Sequence, residues 1–264
     1  MISSIPTMTN QISTDSTHTN DVLEYGQLIR VSDKKSIPYQ IKRVDISGID
    51  EIMSIQEKTF KALDDRALYY PSSREIFEES LADNGLVIGC YVDSQLIAFR
   101  SIWYPGLREE NLGNDLGMRS SEQLNQVAHL ERACVLPDFR GNRLQIHMTN
   151  NAIRLAKEKR FFRYLFSTVA PSNYASMQDK FACNMIIVRL LKKYEDYYRY
   201  IFYQDIIQPI DTMNNNSVTT SFDGEDITGQ LAFLSTDKKN VGFQQFKKNN
   251  STHVNFLKID KPLF

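Results

Sequence analysis

The sequence predicts an α/β (α+β) fold with a mixed, mostly antiparallel central sheet and helices on both of its faces. The chain has 264 residues, of which 42% are hydrophobic and 24% charged, the balance of a globular protein with a buried core. A hairpin signal near the middle predicts a pair of antiparallel strands. Further along, single strands alternate with amphipathic helices, which predicts a sheet with helices covering it.

The first part of the chain predicts a strand, two helices and a hairpin. Residues 39–44 alternate between apolar and polar side chains, as a half-buried strand does. Ser47 is expected to cap the helix that follows, and Ser72 or Ser73 to begin the next one. In GLVIGCYVDSQLIAFRSIWYP, two apolar runs flank residues 93–95, which indicates a hairpin.

The second part predicts strands and helices in alternation. Residues 105–125 are polar and glycine-bearing, which predicts a loop with at most one short helix, and long insertions of this kind are often functional. The elements expected after it are a strand at 127–135, a helix at 142–159, a strand at 164–169, a helix from Ser172 or Asn173, and a strand at 197–207.

Composition also suggests where the domain begins and ends. Residues 1–24 are rich in Ser, Thr and Asn and are expected to form a flexible arm. Residues 25–210 are expected to form the main domain. From 211 to 264 the chain is more polar, with the strand-like runs VTTSF, LAFLS, VGFQQF and HVNFLKI, so we expect a small C-terminal β appendage of short strands.

Charge and cysteine content argue against several classes of function. The formal net charge is −1, which provides no basic field for a nucleic acid. No apolar stretch is long enough for a transmembrane helix, and the N-terminus lacks the features of a signal peptide. Cys90, Cys134 and Cys183 are scattered and lack metal-ligand spacing, so we expect no metal, no membrane partner and a cytoplasmic setting.

The stretch VLPDFRGNRLQIHM, residues 135–148, has the features of an anion-binding turn. A strand that ends in a tight turn and opens a helix presents free backbone N–H groups, which favour a phosphate. Arg140 and Arg143 can add charge-assisted hydrogen bonds. The turn is neither a Walker loop nor a dinucleotide fingerprint, since it has one glycine and no Gly-Lys-Ser/Thr. The alternative is an ordinary turn with two solvated arginines.

Residues 127–203 resemble the GNAT superfamily of acyl-CoA-dependent N-acetyltransferases, and the wider resemblance covers about residues 39–207. The matching segments are LERACVLPDFRGNRLQIHM, STVAPSNYASM and KKYEDYYRYIFYQDI. The family turn has the pattern Gln/Arg-x-x-Gly-x-Gly/Ala and holds the CoA pyrophosphate through backbone amides. Arg140 takes its first position, while Arg143 and Gln145 stand where the glycine and the second small residue are usual. Gly141 matches a glycine common in the spacer.

The resemblance implies a GNAT-like fold, acetyl-CoA as co-substrate and an amine acceptor. It implies that a backbone N–H of strand four, near residues 134–136, stabilises the oxyanion, and that Asn173 contacts the cofactor arm unless it serves as a helix cap. Arg143 fits such a cradle only if its side chain points away from the pyrophosphate. The implied cofactor-binding residues are Cys134, Val135, Leu136, Arg140, Gly141, Asn142, Arg143, Leu144, Gln145, Asn173 and Ser176.

His129 and Glu131 are the candidate general bases. They lie two apart on the expected strand and so share a face, and several members of the family place a base, or a pair linked by water, at these positions. The alternative is a structural histidine beside a glutamate paired with an arginine. Many members carry a helix-four tyrosine that protonates the leaving thiolate. The matching residue here is Lys180, so the general acid is not identified, although Tyr174 is a possible substitute.

Two further functions remain open at this point. One is an N-acyltransferase with a longer acyl donor, and the other is a non-catalytic acyl-CoA-binding regulatory module. An acyl-cysteine route through Cys134 is disfavoured, because the sequence places no activating base beside it. The acceptor, the acyl chain length and the oligomeric state are not readable from the sequence, and a homodimer is one option.

Overall fold

The computed structural model describes residues 22–63, 71–159, 161–194, 196–210, 212 and 218–263. The strands are β1 (Val22–Ile29), β2 (Ser36–Arg43), β3 (Gly85–Val92), β4 (Gln95–Trp103), β5 (Val127–Val135), β6 (Tyr164–Val169), β7 (Ile186–Lys193), β8 (Tyr197–Asp205), β9 (Thr220–Asp223), β10 (Asn240–Lys248) and β11 (Ser251–Lys258). The helices are α1 (Ile49–Lys61), α2 (Arg74–Leu81), α3 (Gly113–Leu116), α4 (Ser121–Leu124), α5 (Leu144–Lys159), α6 (Tyr174–Ala182) and α7 (Ile227–Thr236).

In the described part of the chain, these strands form a single sheet of eleven strands in the order β1-β2-β3-β4-β5-β6-β8-β7-β10-β11-β9. Every strand pair is antiparallel except β5 with β6, which is parallel. The predicted mixed, mostly antiparallel sheet is therefore confirmed. The parallel pair is the one place where two neighbouring strands point the same way, because α5 connects them.

Helices cover both faces of the sheet, as predicted. On one face, residues of α5, α6 and α7 share a core cluster with β3 and β4, including Met148, Met177 and Leu234. On the other face, α1 and α2 pack against β3 and β4, where Phe77 meets Phe99 edge-on with ring centroids 5.5 Å apart. The sheet thus separates two cores, and an opening between strands would connect its two faces.

Local signals explain most of the element boundaries. The hairpin turn is formed by Asp93 and Ser94, whose φ angles of 47° and 67° are those of a two-residue turn that matches strand twist. The expected cap at Ser47 is wrong. The Asp45 side chain accepts a hydrogen bond of 2.9 Å from the Ser47 amide and begins a 3₁₀ turn, so α1 starts at Ile49. Ser73 stands at the N-cap of α2, as expected.

Two strands were not predicted. β1 begins at Val22, inside the segment expected to be a flexible arm, and pairs along its length with β2. Residues 1–21 of that arm lie outside the described residues. β7 follows α6 directly, and its last residues, Lys192 and Lys193, pair with β8. The loop at 105–125 contains two short helices, α3 and α4, rather than at most one.

The C-terminal segment extends the main sheet. Three of its strand-like runs form β9, β10 and β11, as expected, but LAFLS lies within helix α7, so its prediction as a strand was wrong. β10 joins β7 through the pair Gly242 and Ile187. The Tyr200 hydroxyl of β8 donates to the Gln230 side chain of α7. The appendage is therefore packed on and paired with the rest of the fold.

Candidate active site

The sheet opens between β5 and β6. The two strands pair in parallel only from Val127–Tyr164 to His129–Phe166, although β5 continues to Val135 and β6 to Val169. Where they separate, the Ser167 hydroxyl donates a 3.0 Å hydrogen bond to the carbonyl of Leu130. Beyond that point, β5 turns a backbone edge toward the opening. We call this opening the cleft.

A β-bulge in β5 determines which amides face the cleft. Arg100 of β4 pairs with Ala133 and Ile102 with Leu130, so β5 contains one extra residue between them. The Leu136 amide donates to the Ile97 carbonyl at 3.0 Å and thus points toward β4. Because backbone groups alternate along a strand, the Cys134 amide points the same way and the Val135 amide faces the cleft.

Of the three predicted oxyanion donors, this geometry therefore favours Val135 and disfavours Cys134 and Leu136. The Arg140 Nε lies 3.4 Å from the Val135 carbonyl oxygen, which also faces the cleft. The Cys134 side chain is fully buried and packed with the α1 and α2 core, which gives no support to an acyl-cysteine route.

In the turn after β5, Arg143 adopts a left-handed backbone conformation that glycine usually provides. Gly141 has φ of 84° and Arg143 has φ of 55°, both in the left-handed region. The Arg143 carbonyl accepts from the amides of Ile146 and His147 at 2.9 and 3.1 Å, so α5 begins directly after it. The Arg143 side chain is exposed.

Three amides at this helix start remain available. No described residue accepts a hydrogen bond from the backbone N–H groups of Arg143, Leu144 or Gln145. A helix N-terminus with free amides is a site for an anion. A Cβ built on Gly141 would meet no atom within 4 Å, so that glycine serves its left-handed conformation and not a close contact. We call the turn and these amides the cradle.

The β1–β2 hairpin is hydrogen-bonded to the cradle and holds it in place. The Asn142 side chain accepts from the Ile29 amide at 2.8 Å and donates to the Ile29 carbonyl at 2.9 Å. The Asp138 carboxylate accepts from the amide and hydroxyl of Ser32 at 2.7 and 2.8 Å. Asn142, a predicted cofactor residue, thus uses its side chain to fix the loop, and only its backbone remains for a ligand.

The remaining predicted cofactor residues have structural partners. The Asn173 side chain accepts from the Ser176 amide at 3.1 Å, so it caps α6, the alternative left open by the sequence. The Leu144 side chain is buried in the core. The Gln145 side chain points inward, with its Oε1 3.4 Å from Nη2 of Arg100. In Leu144 and Gln145, the backbone is therefore the part left for binding, whereas the amides of Asn173 and Ser176 are already used within the fold.

His129 and Glu131 lie together on β5, but their side chains have different partners. His129 is buried, and its Nε2 accepts a 3.1 Å hydrogen bond from the Leu112 amide. The ring proton of the neutral imidazole is therefore assigned to Nδ1, which lies 3.4 Å from the Glu131 carboxylate. Because that lone pair already accepts from Leu112, the His129 ring is placed to donate to Glu131 and offers no further acceptor.

Glu131 is the group able to accept a proton. Burial by itself would raise the pKa of its carboxyl, but the hydrogen bond from His129 and the Arg132 guanidinium, 3.6 Å away, outweigh burial and lower that pKa. Glu131 is therefore an ionised carboxylate near neutral pH. The Trp103 ring stands edge-on to His129, with centroids 5.5 Å apart, and closes this side of the pair.

The turn between β7 and β8 lies near Glu131 and was missed as a site element, and it contacts the 105–125 loop, which the sequence marked as a functional insertion. Tyr194, at the turn between β7 and β8, has its hydroxyl 3.1 Å from Thr168 Oγ1 and within electrostatic reach of Glu131. The Lys193 ammonium pairs with Asp115 of α3 at 2.5 Å, which joins that turn to the 105–125 loop. No pattern in the sequence brings these two segments together, because only tertiary packing does.

Among the described residues, no group of His, Cys, Asp or Glu has the grouping needed to hold a metal ion. Over the same residues, no helix has both the length and the apolar character needed to cross a membrane.

No family model and no curated protein matches the sequence. Many solved structures match the fold, and GNAT acetyltransferases are among them. A GNAT-family acetyltransferase from Streptococcus pneumoniae is 14% identical, with a TM-score of 0.47, and covers 63% of this chain and 98% of its own. The GNAT domain of S. lividans PAT is 14% identical, with a TM-score of 0.48, and covers 69% of this chain and 96% of its own.

Arabidopsis thaliana NAA60, solved in complex with acetyl-CoA, is 14% identical, with a TM-score of 0.49, and covers 63% of this chain and 99% of its own. About a third of this chain thus has no counterpart in these structures. Similarities this low say nothing about activity or substrate, which have to be argued from the geometry of the chain itself.

Proposed function

Starting from a GNAT-like fold with a cleft at its parallel strand pair, we propose that the chain is an N-acetyltransferase. It moves an acetyl group from acetyl-CoA to an amine of a small molecule or a protein by direct attack. The observation that carries the proposal is the juxtaposition of the cradle with the diverging strands β5 and β6. A ligand with a phosphate end and an extended amide-bearing arm matches that pair of features.

The described residues fit coenzyme A as the acyl carrier. The backbone amides of Arg143, Leu144 and Gln145 would hold the pyrophosphate, and Arg140 would add a positive charge. The backbone C=O of Val135 would accept a hydrogen bond from an amide of the pantetheine arm, as in an added strand, which leaves the Val135 N–H for the thioester oxygen. When bound, the group supplies a thioester, which is an activated acyl donor.

The catalytic residues are assigned to β5. Glu131 takes the proton of the attacking amine, which it can do as a carboxylate held in place by His129. The Val135 amide donates to the oxygen on which negative charge develops during attack. Tyr194 and the 105–125 loop border the side on which the acceptor amine would enter.

The main alternative is a non-catalytic acyl-CoA-binding module. The cradle is compatible with both functions, but an ionised carboxylate oriented by a buried histidine beside the cleft favours an enzyme. A module that only binds has no need of a base at that point. The acyl chain length stays open, so acyl-CoA donors of increasing length belong in the assay.

The test is release of free thiol from acetyl-CoA across a panel of amines, with CoA affinity measured in parallel by calorimetry. We expect turnover with at least one class of amine, and a large loss in Glu131→Gln. Glu51→Gln, at an exposed position of α1, serves as a control that removes a carboxylate elsewhere. Tight CoA binding without thiol release on any amine would leave the binding module as the function.

A further inference from the structure

The β-bulge in β5 places two consecutive charged side chains on one face of the sheet. Leu130 and Val135 lie five residues apart, yet both pack into the core cluster that α5 and α6 cover, which requires one extra residue between them. The extra position falls at Glu131 and Arg132, opposite Ser101 of β4. Arg132 therefore shares the face of Glu131, and its Nη1 lies 3.6 Å from the Glu131 carboxylate.

A second guanidinium, that of Arg199 in β8, lies on the same face of the sheet. Ile201, two residues further along β8, belongs to the core cluster that also contains Val127 of β5. Val127 and Glu131 are four residues apart before the bulge, and alternate residues of a strand share a face, so Arg199 points to the side of Glu131. Arg199 is partly buried, and in the described part of the chain no carboxylate forms an ion pair with it.

The Tyr194 hydroxyl is the point near which these charges converge. It lies 3.1 Å from Oγ1 of Thr168 in β6, which places it beside the cleft. It is also within electrostatic reach of Glu131, Arg132 and Arg199. The Arg199 guanidinium lies 6.0 Å from the centroid of the Tyr194 ring, a distance at which the ring helps to hold the cation. We call Arg132 and Arg199 the acceptor arginines.

The acceptor arginines leave the region around Glu131 with more positive than negative charge among the described residues. Lys193 of the same turn is already paired with Asp115, so the one carboxylate of Glu131 faces two guanidiniums. A simple alkylammonium brings only positive charge to this region, and like charges repel. An amine that carries its own carboxylate is neutral overall, and a guanidinium binds a carboxylate through well-matched, charge-assisted hydrogen bonds.

We propose that the acceptor is an α-amino acid whose carboxylate is held by Arg132 and Arg199 while Glu131 takes the proton of its amine. The inference rests on the proposed function and names its substrate class. Because Arg132 is the direct neighbour of the base, the carboxylate that it holds belongs on the carbon next to the amine. Arg199 approaches from the β8 side together with Tyr194, whose hydroxyl can donate to the same carboxylate.

The test measures thiol release from acetyl-CoA with pairs of amines that differ only in the carboxylate, such as phenylalanine with phenethylamine and leucine with isoamylamine. The quantity compared is the ratio of kcat/KM within each pair, because the intrinsic reactivity of the two amines cancels between native protein and variant. In Arg132→Gln and in Arg199→Gln, we expect this ratio to fall about tenfold or more, as the loss of a charge-assisted hydrogen bond implies. The fall should come mainly from a higher KM for the amino acid.

The controls separate carboxylate recognition from general charge and from damage to the base. Lys157→Gln removes an exposed positive charge near the end of α5 and should keep the native ratio. A ratio that stays native in both arginine variants, even if their turnover falls, overturns the inference and leaves the N-acetyltransferase in place. Arg199→Gln alone decides this if Arg132→Gln does not fold. Absence of thiol release with every amine, with or without a carboxylate, overturns the proposed function instead.

Discussion

Arg143 adopts a backbone conformation that side chains with a Cβ seldom take. Its φ of 55° is unfavourable by roughly 1–2 kcal/mol for such a residue. The neighbouring bonds hold it there, because the Asn142 side chain fixes the preceding residues and α5 begins immediately after. The cradle is thus maintained by its surroundings and not by the residue type at this position.

We therefore predict opposite effects for two substitutions of Arg143. Arg143→Gly should raise the free energy of unfolding by about 0.5 kcal/mol, because relief of the left-handed strain exceeds the entropy cost of glycine. Arg143→Val should lower it by about 1 kcal/mol or more, since a β-branched residue resists this φ. Urea denaturation measures both. A destabilised Arg143→Gly would contradict the strain assignment.

The second prediction at this scale concerns the pH dependence of Glu131. Because the folded pKa of Glu131 is lowered, the carboxylate persists below its ordinary pKa of about 4.3. The rise of kcat/KM with pH above neutrality should then report deprotonation of the acceptor amine. Glu131→Gln should lower the plateau by about 10²-fold or more without moving the midpoint. A midpoint that shifts in this variant would mean that Glu131 itself titrates there.

Among the elements, the β1–β2 hairpin has the clearest effect on the candidate site. Asp138→Ala removes two hydrogen bonds to Ser32 at the edge of the cradle. We expect a loss of about 1 kcal/mol in the free energy of unfolding and a several-fold weaker affinity for CoA. Calorimetric titration and urea denaturation provide the two numbers.

Asp33→Ala is the matched control for that variant. Asp33 lies in the same hairpin turn, but its carboxylate contacts only Arg30 and Lys35 of the turn itself. It should therefore leave CoA affinity unchanged. If both variants weaken CoA binding equally, the hairpin acts through its general stability and not through the bonds to the cradle.

The sequence predicted an element correctly where the hydrophobic pattern and turn signals of that element alone determine its structure. β5 and β6 match their predicted bounds, because their apolar runs end at clear turn signals. β7 was missed because its end runs into the polar KKYEDYYRY stretch, which obscures the strand. The LAFLS run of α7 was mistaken for a strand. Four or five residues are too few to distinguish the 3.6-residue period of a helix from the two-residue period of a strand. The β5 bulge depends on pairing with β4, which no local pattern encodes.

At the scale of the molecule, the C-terminal segment and the main sheet should unfold together. The Tyr200 hydroxyl is fully buried and donates to Gln230, whose own amide donates to the Asp223 carbonyl at 2.9 Å. Gln230→Leu leaves the Tyr200 hydroxyl without its partner, whereas the Asp223 carbonyl keeps the Asp226 amide, so we expect a loss of about 2 kcal/mol from the unpaired hydroxyl. Thermal unfolding should remain a single transition. A separate transition for the C-terminal segment would contradict this coupling.

The double variant with Tyr200→Phe tests the cause of that loss. If the loss of stability comes from the unpaired Tyr200 hydroxyl, removing that hydroxyl as well should recover part of the free energy of unfolding. Additive losses in the double variant would instead indicate that packing of the two side chains, and not their hydrogen bond, holds the segments together.

The arrangement of the candidate site emerges only at this largest scale. The sequence placed His129 and Glu131 on one strand face, and their contact bears out that juxtaposition. It could not assign their separate roles, because the hydrogen bond that occupies His129 comes from Leu112, in the 105–125 loop. Likewise, Arg100 and Lys180 are distant in sequence, and only tertiary packing brings them within electrostatic reach of each other.

Trp103 is the only tryptophan of the chain and lies beside this assembly. Its indole N–H donates to Glu79 at 3.2 Å, the Arg108 guanidinium lies 5.2 Å from its ring, and His129 meets its edge. Its fluorescence therefore reports on one small neighbourhood, free of background from other indoles. An acceptor that displaces Arg108 or moves the His129 ring would alter that emission, so a library of amines could be screened optically without knowing the reaction.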